Sequence, residues 1–311
     1  MEMFKQVTNI DFLGHRKVVM PLTLLFIAVA FVSLATKGLE FGIDFTGGVT
    51  LEVHYPTSVD LEQVRGALDR GGVHGAQLLH LGTTSDVLVR LPSLAEGVDG
   101  SRYGEQVMAV LAAATPGVVL KHREFVGPQV GDELANQGVM ATLVALLGIF
   151  GYLMFRFEAK FALGAIAATV HDVVFVVGWF SIFGIEFDLT VLAAVLAVIG
   201  YSVNDTVVVF DRIRENFRTM RKGTPEEVMN RAINETLSRT IMTVSTVIVV
   251  LLALLAFGGS VIHNFALALL IGVVVGTYSS VYIASAIALM LGASRETLMP
   301  PKRDDELDAL P

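Results

Sequence analysis

Two aspartates, Asp172 and Asp205, and one arginine, Arg239, interrupt stretches of sequence that are otherwise apolar. A charged side chain at the centre of a bilayer costs about 2.5–3.5 kcal/mol on insertion scales, so such residues line a polar path or find a partner. The chemistry open to them is the uptake and release of protons. Removal from water makes a carboxylic acid hold its proton more tightly, and an approaching guanidinium loosens it. Alternation between those two environments would let Asp205 bind and release a proton as helices shift, with Arg239 as the approaching charge. Each proton crossing the membrane supplies about 2.3 kcal/mol per 100 mV and about 1.4 kcal/mol per pH unit. That is enough to bias a two-state movement without covalent chemistry.

Each of these residues also has a plainer reading. Arg239 either serves Asp205 or extends to the lipid headgroups. Asp172 either belongs to the proton path or is a structural acid bonded to Thr169 or His171, and His171 is either a relay member or a helix-packing donor. Ser202, Asn204 and Thr206 give Asp205 a polar surround, with Asn204 expected to bond across helices.

Other chemistries lack their residues. There is no Cys, which removes thiol nucleophiles, disulfides and thiolate metal sites. The seven His show no metal-binding spacing. No nucleophile with a base beside it and no phosphate loop can be picked out, so an enzyme is not expected, and neither is a metal or organic cofactor. A net charge of −8 argues against nucleic acid as a partner.

The elements that must position these residues are membrane spans. With 53% hydrophobic and 17% charged residues the chain is too apolar for an ordinary soluble domain. Apolar runs occur at 18–36, 138–155, 161–183, 189–202, 241–257 and 265–291, the fourth continuing through Asp205 to Phe210. Roughly 20 residues cross the hydrocarbon core, so six spans are predicted. The first is read as an uncleaved anchor, because its apolar run exceeds a signal peptide's and no small-residue cleavage site follows. The tail at 1–17, the turn at 156–160, the loop at 211–238 with Arg239, and the tail at 293–311 hold 15 of the 22 basic residues. By the positive-inside rule both termini should be cytoplasmic and the segment 37–136 outside.

That segment reads as a small α/β domain. Strand 50–55 places Leu51, Val53 and Tyr55 on one face, and Asp60 caps a helix bearing Leu61, Val64 and Leu68 that stops at Gly71 and Gly72. Strands at 76–81 and 86–91, a helix at 103–114 and a strand at 118–125 complete a βαββαβ, ferredoxin-like order. Its 13 acidic and 7 basic residues make an acidic surface that suits a binding or lever role. The stretch 211–238 reads as an amphipathic helix with Ile213, Phe217, Val228 and Ala232 on one side and Thr224 as a cap. It would lie on anionic lipid or meet a partner. Gly272 and Gly276 form G-x-x-x-G, for a sliding contact with another subunit or static packing within the chain. Pro128 is a hinge before the second span or an ordinary turn.

Four stretches carry a resemblance: GLEFGIDFTGG at 38–48, VGPQVG at 126–131, GYSVNDTVVVFDRIREN at 200–216 and GTYSS at 276–280. In this order and spacing they resemble the SecF branch of the SecD/SecF family of protein-export membrane proteins. The resemblance implies the architecture of half a resistance-nodulation-division transporter in the bacterial inner membrane. It implies a heterodimer with SecD, driven by protons (H+ as the coupling ion), that acts on preproteins at the outer face of the SecYEG channel after the SecA ATPase, with YajC and YidC as associates. Matched by motif, Asp205 in Asn-Asp-Thr and Arg239 in Ser-Arg-Thr take the proton-coupling positions. Two other readings stand beside it: half of a proton-driven exporter of lipids or small molecules, which calls for a deep apolar pocket in the outer domain, and a passive scaffold.

Overall fold

The computed structural model describes residues 8–91 and 100–298. The far ends of both predicted tails, with Lys5, Lys302 and Arg303, lie outside the described residues. In chain order the elements are α1 (Arg16–Thr36), β1 (Glu40–Phe41), α2 (Ile43–Thr46), β2 (Gly48–His54), α3 (Leu61–Arg70), β3 (Gln77–His80), β4 (Asp86–Leu91), α4 (Gly100–Ala114) and β5 (Val119–Val126). There follow α5 (Pro128–Arg156), α6 (Ala159–Phe183), β6 (Glu186–Phe187), α7 (Leu189–Thr219), α8 (Pro225–Phe257), α9 (Gly259–Ser279), a π-helical turn (Ser280–Ala284), α10 (Ser285–Met290) and α11 (Arg295–Leu298).

Among the described residues, six helical stretches are long and apolar enough to span a membrane: α1, α5, α6, α7, α8 and the continuous stretch Val261–Met290. The protein is a helical, multi-pass membrane protein. Its outer surface carries large apolar side chains such as Val18 (72% exposed), Leu147 (71%) and Phe257 (89%), which water would penalise and lipid tails accept.

The chain divides into two compact units. A helical unit takes in Met1–Gly38, Ala145–Phe183 and Ala193–Pro311, and a sheet-bearing unit takes in Leu39–Val144 and Gly184–Leu192. The sheet-bearing unit thus takes in a second piece beside the segment 37–136. Strands β1 and β6 pair in parallel, Glu40 with Glu186 and Phe41 with Phe187, and so bring the connector between α6 and α7 into the sheet-bearing unit. Two residues per strand leave no periodicity to read.

The four-stranded sheet has the order β3-β4-β2-β5, antiparallel throughout, which is the predicted ferredoxin-like topology. Alternation along β2 buries Val49, Leu51 and Val53 beneath α3 and α4, where Val64, Leu68, Val107 and Leu111 meet them. Burial contributes about 1.5–3 kcal/mol for each such side chain. Asp60 caps α3 by accepting from the Glu62 N–H, and Gly71 and Gly72 end it, Gly72 at a φ of +79° that disfavours a Cβ. Two of the motif stretches meet here. A Cβ on Gly131 would lie 2.9 Å from the backbone nitrogen of Gly47, and Gly47 itself has a φ of +68°. Pro128 is the first residue of a continuous 29-residue helix, where its missing N–H costs nothing, so it starts α5 and does not hinge it.

Beyond the spans, α7 and α8 run on as a helical hairpin. Thr224 and Glu227 form a reciprocal capping box at the start of α8. The amphipathic stretch does not spend its apolar face on lipid: Ile213, Phe217, Val228 and Ala232 are buried in the core of the helical unit with Phe161 and Phe210. On its other side the hairpin holds the chain before α1. Asn234 accepts from Ile10 N–H and donates to Ile10 C=O, both at 2.8 Å, and Asn230 accepts from Phe12 N–H at 2.9 Å.

Candidate functional site

The polar side chains of the helical unit gather where α6, α7, α8 and α9 meet. Asp172 on α6 is fully buried. Its Oδ1 lies 2.8 Å from His171 Nδ1, and its Oδ2 accepts from Ser202 of α7 at 2.5 Å and from Ser279 of α9 at 2.7 Å. Two hydroxyl donors and a ring nitrogen, drawn from three helices, surround a carboxyl group that could not otherwise remain in a dry interior. Thr169 bonds the carbonyl of Ala165 and not Asp172. His171 Nε2 is buried and has no hydrogen-bond partner among the described residues.

Asp205 lies one helical turn from Ser202 on α7. Thr240 of α8 donates to its Oδ1 at 2.9 Å, while its Oδ2 is buried with no hydrogen-bond partner among the described residues. Ser280, at the head of the π turn, stands beside the same carboxyl group. Ser280 and Thr206 are joined by a buried hydroxyl–hydroxyl bond of 2.8 Å. Arg239 is near enough to attract Asp205 electrostatically, but it is exposed and makes no ion pair among the described residues.

The site residues read from the sequence therefore divide. Asp172 and His171 form one buried cluster, and Asp205, Thr206 and Arg239 belong to a second beside it. Ser202, which sequence proximity gave to Asp205, bonds Asp172 instead, because it sits a turn earlier on α7 and faces α6. Asn204 is exposed on the outer face of α7 and has no hydrogen-bond partner among the described residues. Thr240 was missed although it adjoins Arg239. Ser279 and Ser280 were seen only as small residues following G-x-x-x-G.

Gly272 and Gly276 are occupied inside this chain. A Cβ on Gly272 would lie 2.1 Å from Val198 Cγ2, and one on Gly276 would lie 3.1 Å from Ser202 Cβ. Their role is to let α9 approach α7, which brings Ser279 to Asp172, and the alternative of a sliding contact with another subunit is not what their packing serves.

Residues 106–294 match the family described as protein export membrane protein SecD/SecF, C-terminal, and residues 32–57 match the SecD/SecF GG motif. The chain is 46% identical to the protein translocase subunit SecF of Vibrio alginolyticus, covering 100% of this chain and 99% of that one. It is also 46% identical to the same subunit of Pseudomonas aeruginosa, covering 98% and 99%. Among solved structures it resembles SecDF of Thermus thermophilus, titled a translocon-associated membrane protein, with a TM-score of 0.83 at 39% identity. A structure titled SecDF in super-membrane-facing form matches with a TM-score of 0.69, also at 39% identity. The match covers 93% of this chain and 39% of either SecDF chain, so this chain spans about two fifths of those proteins. Full-length identity to SecF subunits, both family matches and the shared fold agree: the chain belongs to the SecD/SecF family of protein-export membrane proteins, in its SecF branch.

Proposed function

We propose that this chain is the SecF-type half of a SecD–SecF pair that draws on the proton gradient to promote late, extracytoplasmic steps of preprotein translocation through the SecYEG channel. The observation that carries the reading is Asp205: a carboxyl group at membrane depth with one oxygen on Thr240, the other buried beside Ser280 without a hydrogen-bond partner among the described residues, and Arg239 close by without an ion pair among them. Such a carboxyl group has two arrangements within reach, one held by Thr240 and one met by the guanidinium. Proton binding selects between them.

A partner half is supported by the outer face of α7. Ala193, Ala197, Gly200 and Asn204 are all exposed there, at helical spacing. Small residues let another helix approach closely, and an amide at membrane depth calls for a polar partner. Arg239 and Thr243 are exposed on α8. The SecDF chains, more than twice as long as this one, support a SecD half as the occupant.

Orientation follows from the basic residues, with both termini cytoplasmic and the sheet-bearing unit outside the inner membrane, where preproteins emerge. The first turn of α7 is anchored in that unit, since Leu189 N–H donates to Asp44 at 2.9 Å, and the same helix carries Asp205. YajC and YidC are further partners by family likeness. The exporter alternative calls for a deep apolar pocket in the outer domain, and the cavity of about 320 Å³ in the sheet-bearing unit is mixed, with Glu40, Gln77 and Arg90 set among Leu39, Phe41, Ile43 and Leu91.

The test is export of a reporter preprotein in cells depleted of their own copy and supplied with Asp205→Asn. Export should stall although the protein is present and assembled. Normal export would make Asp205 a packing residue and favour the scaffold.

A further inference from the structure

The two carboxyl groups meet the same turn of α9. Ser279 Oγ has two acceptors within reach, Asp172 Oδ2 at 2.7 Å and the carbonyl oxygen of Gly276 at 3.0 Å. Ser280 Oγ reaches that same carbonyl at 2.9 Å, bonds Thr206 and stands beside Asp205. A hydroxyl has one proton to donate. Each serine must therefore choose between a carboxyl group and the Gly276 carbonyl, and the two choices compete for one oxygen, which also accepts the backbone N–H of Ser280.

The backbone there is unusual as well. Residues Ser280–Ala284 form a π turn, a rare form concentrated at functional positions, and the Ser285 hydroxyl donates to the Ser280 carbonyl at 3.1 Å. Both serines are fully buried.

We propose that Asp172 is a second proton-binding site, coupled to Asp205 through the hydroxyls of Ser279 and Ser280. The inference rests on the reading of Asp205 as a proton carrier. When Asp205 is ionised it draws the Ser280 hydroxyl, which leaves the Gly276 carbonyl open to Ser279. Ser279 then turns from Asp172 Oδ2, and the Asp172 carboxylate, short of one donor, takes up a proton. Protonation of Asp205 returns Ser280 to Gly276 and Ser279 to Asp172, which gives its proton up. Protons are bound and released at carboxyl oxygens only, and no other bond changes. The titratable or charged groups on the elements packed around Asp172 are His171 on its own helix, Tyr278 of α9, whose ring lies 6.3 Å from that of His171, Tyr282 of the π turn, whose ring lies 5.2 Å from that of Tyr278, and Asp205 on α7 with Arg239 beyond it on α8. Helix α1 carries charge only at its start, Arg16 and Lys17, and α10 carries none.

The test is infrared difference spectroscopy of the full chain in liposomes across a pH titration, following the carbonyl stretch of protonated carboxylic acids. Asp172→Asn and Asp205→Asn assign the bands. A band lost in Asp172→Asn should titrate, and its midpoint should move by about one pH unit or more when Asp205 is replaced. Ser279→Ala and Ser280→Ala, which keep both carboxyl groups, should each remove most of that shift. If Asp172→Asn does not fold, the band that moves on loss of Ser279 is that of Asp172. An Asp172 band that never titrates, or whose midpoint ignores Asp205, overturns the inference. If Asp205 titrates and Asp172 does not, the inference fails and the proton-coupling reading stands; if neither titrates, both fail.

Discussion

Thr240 donates a 2.9 Å hydrogen bond to Asp205, and its exposed neighbour Arg239 attracts that carboxyl group without an ion pair among the described residues. One helix, α8, thus offers Asp205 a neutral donor and a cation at consecutive positions, and a modest rotation or slide of α8 against α7 would exchange them. Replacement of Thr240 by Val keeps the volume and removes the donor. A hydrogen bond to an ionised group is worth about 1.5–3 kcal/mol, so export should fall roughly ten-fold or more, with Thr240→Ser close to the parent. Comparison of export rates at matched membrane levels checks it, and equal rates for Val and Ser would remove Thr240 from the site.

The face of α7 turned to α9 and the face turned outward should respond differently to added bulk. A Cβ at Gly272 collides with Val198, so Gly272→Ala should destabilise the helical unit by about 1–3 kcal/mol. At Gly200 a Cβ meets nothing within 4 Å in this chain. Gly200→Leu should leave the isolated chain as stable as the parent while weakening its co-purification with a SecD-type half. Thermal unfolding of both variants, with a pull-down, separates the two effects.

Acid should loosen the sheet-bearing unit through Asp86. Lys121 at 2.6 Å, Thr83 at 2.7 Å and His54 at 2.8 Å surround its carboxyl group and hold it well below the usual carboxylate range, Lys121 having the largest effect. Because the folded form binds the proton more weakly than the unfolded chain, this stabilisation is full above about pH 3.9 and is lost as pH falls from there through the folded value. Hydrogen exchange of the β2 and β4 amides should show wild-type protection falling below that pH. Asp86→Asn should be less protected at pH 7 and flatter in acid. An unchanged acid limb in that variant would assign the loss elsewhere.

Much of this was legible in the sequence because it depends on local pattern. The six apolar runs, the βαββαβ order, the Asp60 and Thr224 caps and the carboxyl groups at membrane depth are all read within a few residues of chain. What was not legible depends on residues that only packing joins. Ser202 and Ser279 meet Asp172 from two other helices, and no spacing along the chain announces it, whereas the contact with the adjacent His171 is one the sequence offers. The π turn at Ser280–Ala284 has no composition of its own. The amphipathic 211–238 stretch reads as a surface for lipid or a partner since its apolar face is visible in sequence and its cover is not; that cover is the chain's own core.

The central claim is that a proton at Asp205 drives work on the preprotein. The most direct measurement is the rate of preprotein translocation into membrane vesicles at fixed ATP, with and without an imposed proton gradient, for the parent chain and for Asp205→Asn at matched levels. The gradient should accelerate translocation with the parent and have no effect with Asp205→Asn, while the rate without a gradient is the same for both. Equal acceleration in the two would contradict the account.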